Sequence, residues 1–131
     1  MQPIKICIVE DLEEVRNGMA SLLTMDERFE LLVAFANAEK AAEELPAWQP
    51  DIVIMDINLP GMNGIDCIKK VKTLCPQSQF IMFTIYEDDE KVFEALTAGA
   101  SGYLLKKTPL AKITDSLLEL HSGGSPMSTQ I

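Results

Sequence analysis

The chain has 131 residues, 47% hydrophobic and 24% charged, proportions of an ordinary globular domain that exclude a disordered tract or a membrane-embedded chain. One domain of this length buries roughly two-thirds of its unfolded surface, so its core needs no disulfides, and Cys7, Cys67 and Cys75 lack metal-ligand spacing. Eleven Lys and Arg against 20 Asp and Glu leave a net charge of −9, which opposes sequence-independent binding to a phosphate backbone.

Ile4 to Val9 is an apolar run broken only by Lys5, the pattern of a central parallel strand covered on both faces. It ends in Glu10 and Asp11. From Leu12 onward, Val15, Met19, Leu22 and Leu23 recur at helical spacing and turn Glu13, Glu14 and Arg16 outward, predicting a first helix that closes near Met25 or Asp26. Residues 29–36 read as a second strand. Asn37 then caps a helix that buries Ala38, Ala41, Ala42 and Leu45 and is stopped by Pro46 and Pro50.

Residues 51–56 predict a third strand, and Pro60-Gly61 a turn, after which Asn63 caps a helix with Ile65, Ile68 and Val71 inward, ending at Cys75-Pro76. Residues 79–84 form the fourth strand. The acidic run Glu87-Asp88-Asp89-Glu90 suits the positive end of a helix dipole and opens a helix containing Val92, Phe93 and Leu96, closed by Gly99. Residues 102–105 form a fifth strand. Pro109 begins a last helix with Leu110, Ile113, Leu117 and Leu120 on its core side, and the sole His121 ends it as a solvated cation.

Five strands alternating with five helices imply an α/β domain: a doubly wound, five-stranded parallel sheet of flavodoxin-like order 2-1-3-4-5. Ligands in such sheets bind beyond the carboxyl ends of the strands, at the switch between strands one and three. Those strands end in Glu10-Asp11 and in Asp56, while Thr84 and Lys106 end strands four and five. The small, polar residues 122–131 have a linker composition, giving a domain over 1–121 followed by the start of a linker.

The ordered set of Glu10-Asp11, Asp56 with Leu59-Pro60-Gly61-Met62-Asn63-Gly64, Thr84, and Gly99-Ala100-Ser101-Gly102-Tyr103-Leu104-Leu105-Lys106 resembles the receiver domain of bacterial two-component response regulators. The resemblance covers nearly the whole chain. Lys106-Lys107 and the polar tail resemble the NarL/LuxR-type class, whose receivers precede a helix-turn-helix DNA-binding domain. Three neighbouring carboxylates need a compensating cation, and oxygen-only ligands select a hard ion such as Mg²⁺.

The resemblance implies that Asp11, Asp56 and the backbone carbonyl of Asn58 hold Mg²⁺, with Glu10 acting through water. Asp56 would accept phosphoryl from the phosphohistidine of a sensor histidine kinase or phosphotransfer protein. Lys106 and Thr84 would neutralise the phosphoryl oxygens, and Thr84 with Tyr103 would carry the switch. It further implies transcriptional output, a homodimer through the fourth helix, fifth strand and fifth helix, and DNA contact only through a C-terminal domain outside these residues. A cytoplasmic location without membrane contact is expected, since no window has spanning length and the N-terminus lacks a signal peptide's apolar region.

Two positions depart from the common pattern. Ile85 stands where many receivers have Ala or Ser, and Lys107 where many have Pro, which argues against a cis peptide there. Three other readings compete. An aspartyl-nucleophile phosphohydrolase has a second Asp two residues after its nucleophile, where this chain has Asn58. A flavodoxin-like cofactor binder needs a Ser, Thr and Gly-rich loop where Glu10-Asp11 stand. A phosphorylation-independent interaction module would not need every site position filled with a competent residue. No turnover on a separate substrate is expected.

Overall fold

Parallel strands β1 (Ile4–Val9), β2 (Phe29–Phe35), β3 (Ile52–Met55), β4 (Gln79–Thr84) and β5 (Ala100–Leu105) form one sheet in the order β2-β1-β3-β4-β5. The structure is a computed structural model and describes residues 2–131. Helices α1 (Glu13–Thr24), α2 (Ala38–Trp48), α3 (Gly64–Val71), α4 (Asp89–Ala98) and α5 (Leu110–His121) alternate with the strands. The doubly wound α/β architecture expected from the sequence is thus observed.

Strand side chains alternate between two cores, as the two-residue period of a strand requires. Ile6 and Ile8 of β1, with Ile52, Ile54 and Ile81, pack against Met19 and Leu23 of α1 and Ile113, Leu117 and Leu120 of α5. Cys7 and Val9, with Val53, Met55 and Met82, face Ala41 and Leu45 of α2, Ile65 and Ile68 of α3 and Ala95 of α4. With helices on both faces the strands read as nearly unbroken apolar runs.

Caps at three helix starts agree with local chemistry. The side chains of Asn37, Asn63 and Asp88 accept the backbone N–H of Lys40 (2.8 Å), Asp66 (2.9 Å) and Lys91 (3.1 Å), each meeting one otherwise orphaned donor.

Elsewhere the sequence reading needs correction. Pro46 does not stop α2, which runs through it to Trp48. Lying in the last turn, Pro46 forfeits one intrahelical bond rather than breaking a long ladder. The stop is Gln49, left-handed at φ 48°. Its amide nitrogen donates to the carbonyls of Pro46 (2.7 Å) and Leu74 (3.0 Å). Helix α3 closes at Val71, short of Cys75, and the chain continues in turns. Leu110 is 56% exposed, because the buried stripe of α5 starts one turn later at Ile113.

Residues 122–131, expected as linker, are not free of the sheet. Gly123 (φ 104°) turns the chain back after α5, and Met127 bridges in parallel to Tyr103. Tyr103 N–H donates to the Pro126 carbonyl (2.9 Å), and Ser128 N–H to the Tyr103 carbonyl (3.0 Å). Leu105 N–H donates to Ser128 Oγ (2.9 Å), and Ser125 Oγ to the Ser101 carbonyl (2.6 Å). Pro126 is buried. The small hydroxyl side chains that gave this stretch its linker composition thus also supply bonding partners to β5. Ser128→Pro, which loses both the N–H and the hydroxyl, is expected to lower stability by about 2 kcal/mol at roughly 1 kcal/mol per bond. Ser128→Ala should lose about half of that. Urea unfolding with no change in either variant would mean that the tail is not docked.

Candidate functional site

The site lies one residue past the ends of the central strands. β1 and β3 pair up to Val9 and Met55. Asp56 N–H then donates to the Val9 carbonyl (3.1 Å) and Glu10 N–H to the Phe35 carbonyl (3.0 Å). Glu10 and Asp56 therefore leave the sheet side by side. On the other flank β4 and β5 pair up to Thr84 and Leu105, and Lys106 N–H donates to the Thr84 carbonyl (2.9 Å).

Glu10, Asp11 and Asp56 each bring a carboxylate oxygen within 4.8 Å of the others. Glu10 and Asp56 are buried, and Asp11 is half-buried and opens the cluster to solvent. Lys106 Nζ donates to Asp56 Oδ2 (2.7 Å) and pairs with Glu10 Oε1 (2.9 Å). The remaining oxygens are partly occupied: Asp56 Oδ1 accepts the Asn58 N–H (3.2 Å) and Glu10 Oε2 the Leu12 N–H (3.1 Å). Asn58 is thus tied to the cluster through its backbone. The three carboxylates can hold a hard divalent cation.

Burial raises the pKa of Glu10, and the contact with Lys106 opposes that rise. Burial likewise works against the charge on Lys106, but its contacts with Asp56 and Glu10 outweigh it and the pKa is raised. Thr84 is fully buried and its Oγ1 has no hydrogen-bond partner among the described residues. An unpaired buried hydroxyl costs about 1–3 kcal/mol, which marks it as a donor available to a ligand oxygen. Tyr103 is also fully buried, and its hydroxyl donates to the Tyr86 carbonyl (2.8 Å). Burial, with the charges of Asp88 and Asp56, pushes its phenol up to about 12. Tyr103 opposes Met82, two residues before Thr84, so Tyr103 and Thr84 share one face of the sheet.

Two contributors were not visible as such in the sequence. Arg16, expected to turn outward, is half-buried, and its Nη1 donates to the carbonyls of Glu10 (2.9 Å) and Asp11 (3.3 Å). The signal was available: helical side chains lean toward the N-terminus, so a residue four positions after the cap Leu12 reaches the preceding turn. Glu39 Oε2 accepts the Met62 N–H (2.8 Å), which lowers its pKa and holds the loop after Asp56. A Cβ at Gly61 would displace that carboxylate, and φ 74° there favours glycine. Beside the cluster, Ile85, 61% exposed, lines a cleft of about 200 Å³ with Glu87, Leu105, Lys106 and Lys107. The Lys106–Lys107 peptide is trans.

A sequence profile described as the response regulator receiver domain matches residues 6–118. The chain belongs to the response regulator receiver family. Within it, this receiver is similar to the transcriptional regulatory protein LnrK of Bacillus subtilis, 37% identical over 128 residues, which are 98% of this chain and 58% of the relative. It is also similar to the transcriptional regulatory protein DegU of Brevibacillus brevis, 30% identical over 122 residues, 93% of this chain and 52% of that one. The receiver thus spans little more than half the length of these curated relatives. The solved structure of a LuxR-family two-component response regulator from Aurantimonas sp. SI85-9A1 matches with a TM-score of 0.92 at 28% identity, covering 99% of this chain and 93% of that one. A CheY-like receiver from Methanospirillum hungatei JF-1 matches with a TM-score of 0.85 at 26% identity, covering 92% and 95%. The Aurantimonas regulator is of the LuxR family, the class that this receiver's sequence resembles.

Lys106→Met removes the only cation that touches two buried carboxylates among the described residues. Without metal it should cost about 3 kcal/mol in urea unfolding, the cost of stranding buried charge. A carboxyl whose folded pKa lies above the ordinary 4.5 of Glu is stabilised by its proton, so the loss is smallest below that pH and grows as pH rises through the raised value. A loss independent of pH would contradict the charge coupling described for this cluster.

Proposed function

We propose that this receiver is a phosphoacceptor switch in which Asp56 takes a phosphoryl group from the phosphohistidine of a sensor histidine kinase or phosphotransfer protein, with Mg²⁺ as cofactor. The observation that carries the reading is the convergence of Glu10, Asp11 and Asp56 with Lys106 at one end of the sheet. The donor set fits Mg²⁺: oxygen ligands only, with the half-buried Asp11 leaving the site open to waters and a phosphoryl group. Asp11, Asp56 and the Asn58 carbonyl would hold the ion, with Glu10 reaching it through water. Bound there, it offsets carboxylate charge and the charge on one phosphoryl oxygen.

The chain's own groups do the rest. An Asp56 carboxylate oxygen attacks phosphorus in line, an O–P bond forms, and the P–N bond breaks with its electron pair kept by the imidazole nitrogen. Lys106, already 2.7 Å from Asp56 Oδ2, lies where a phosphoryl oxygen on Asp56 would meet its ammonium. The unpartnered Thr84 hydroxyl supplies a further donor. Tyr103 already points inward, so phosphate on Asp56 selects and holds this arrangement through Thr84, a shift of population between two states.

The reading extends to the relatives' longer form: a receiver at 1–121, a lead toward a helix-turn-helix output domain that contacts DNA, and transcriptional regulation in the cytoplasm. Homodimerisation through α4, β5 and α5 fits the exposed Phe93 and Leu110 on those helices. A phosphohydrolase is disfavoured because Asn58 carries no titratable proton for a leaving group, and turnover on phosphate esters is expected to be absent.

Intact mass after incubation with Mg²⁺ and acetyl phosphate should show one added phosphoryl unit on the parent and none on Asp56→Asn. Labelling of both, or of neither, would refute Asp56 as acceptor. Ile85 follows Thr84 and lines a cleft with Lys106, and on this reading its side chain would crowd a water approaching phosphate on Asp56. Ile85→Ala should therefore lose phosphate faster than the parent when the decay is followed by mass. Equal or slower loss would remove Ile85 from this role.

A further inference from the structure

Between Val9, the last β1 residue paired to β2, and the start of α1 at Glu13, two consecutive side chains have to reach one place. Neighbours along a strand point to opposite faces. Glu10 and Asp11 can share a cluster with Asp56 only because the backbone turns between them. This turn is not secured by an N-cap side chain, since Leu12 holds the cap position and gives α1 no side-chain bond.

Two contacts secure it instead. One is the Leu12 N–H on Glu10 Oε2 (3.1 Å), which occupies an oxygen of the cluster itself. The other is Arg16 Nη1, shared between the carbonyls of Glu10 (2.9 Å) and Asp11 (3.3 Å), which leaves all three carboxylates free. Bonds from an ionised donor such as a guanidinium are roughly twice as strong as neutral ones. Lys106 contacts the carboxylates directly and so competes with any cation that enters. The side-chain hydrogen bonds of Arg16 go to main-chain carbonyls and do not compete.

We propose that Arg16 is a positioning residue for the acid cluster: by bridging the Glu10 and Asp11 carbonyls it aims both carboxylates and so sets the affinity of the site for Mg²⁺. The proposal rests on the reading of Glu10, Asp11 and Asp56 as the Mg²⁺ site. Positioning and charge pull in opposite directions here. Loss of the guanidinium charge alone would tighten binding of a cation, whereas loss of the support would weaken it. The sign of the change therefore identifies the role.

The test is calorimetric titration of Mg²⁺ into the 131-residue chain, comparing the parent, Arg16→Met, Arg16→Lys and Arg28→Met. Arg28 is the control, an exposed arginine bound to Asp26 (2.7 Å) on the surface. Arg16→Met is expected to bind about tenfold more weakly, at the low end of the 10–100-fold effect of removing support behind metal ligands. Arg16→Lys keeps the charge without the planar donor and should fall between Met and the parent, while Arg28→Met should match the parent. Urea unfolding in EDTA reports whether each variant is folded. A folded Arg16→Met that binds Mg²⁺ as tightly as the parent, or more tightly, overturns the proposal. If Arg16→Met does not fold, parent-like affinity in Arg16→Lys overturns it. A parent that takes up no Mg²⁺ overturns the site reading and this proposal together.

Discussion

Like-charge repulsion among Glu10, Asp11 and Asp56 is the constraint around which this end of the molecule is arranged. Three carboxylates within 4.8 Å of one another, two of them on buried residues, repel each other unless a cation compensates. The fold answers with one flexible ammonium, Lys106, delivered from β5, and with N–H groups of Leu12 and Asn58 that each take one lone pair. The arrangement is costly in isolation, since buried ion pairs seldom recover their full desolvation energy. Its retention in the middle of an otherwise apolar sheet end is physical grounds for chemistry there.

The parallel topology makes the arrangement possible. Every strand points the same way, so four strands release their last residues at one edge of the sheet, and the order β2-β1-β3-β4-β5 sets β1 beside β3. Acids from the two central strands meet there, while Thr84 and Lys106 arrive from the neighbouring pair. Long charged side chains then hold the connecting turns by their main chain: Arg16 for the turn after β1 and Glu39 for the loop after Asp56. Rigid elements carry the reactive groups, and these supports keep the turns from undoing that precision.

The fold was legible in the sequence because apolar runs and helical periodicity are local and here agree with the tertiary structure. Site positions were legible for a related reason: polar residues at the ends of apolar runs stand out when parallel strands must end together. Pro46 does not end α2 because it lies in the last turn, where little of the hydrogen-bond ladder remains to be broken. Leu110 was misread because periodicity does not say at which turn a helix meets the sheet. Arg16 was assigned to solvent by the helical wheel, which describes direction around the axis and ignores the lean along it. The docking of residues 125–128 leaves almost no trace in composition, since part of it is main-chain bonding independent of residue type and the rest uses serine hydroxyls that a linker would also carry.

That docking has a consequence for association. An uncovered edge strand offers a row of main-chain donors and acceptors to any passing chain, which is the common route to sheet extension between molecules. Here the outer side of β5 is already taken by Pro126 and Ser128 at Tyr103 and Leu105. A second copy approaching from this side finds no open ladder to continue, and must recognise the flanking helices through their side chains instead.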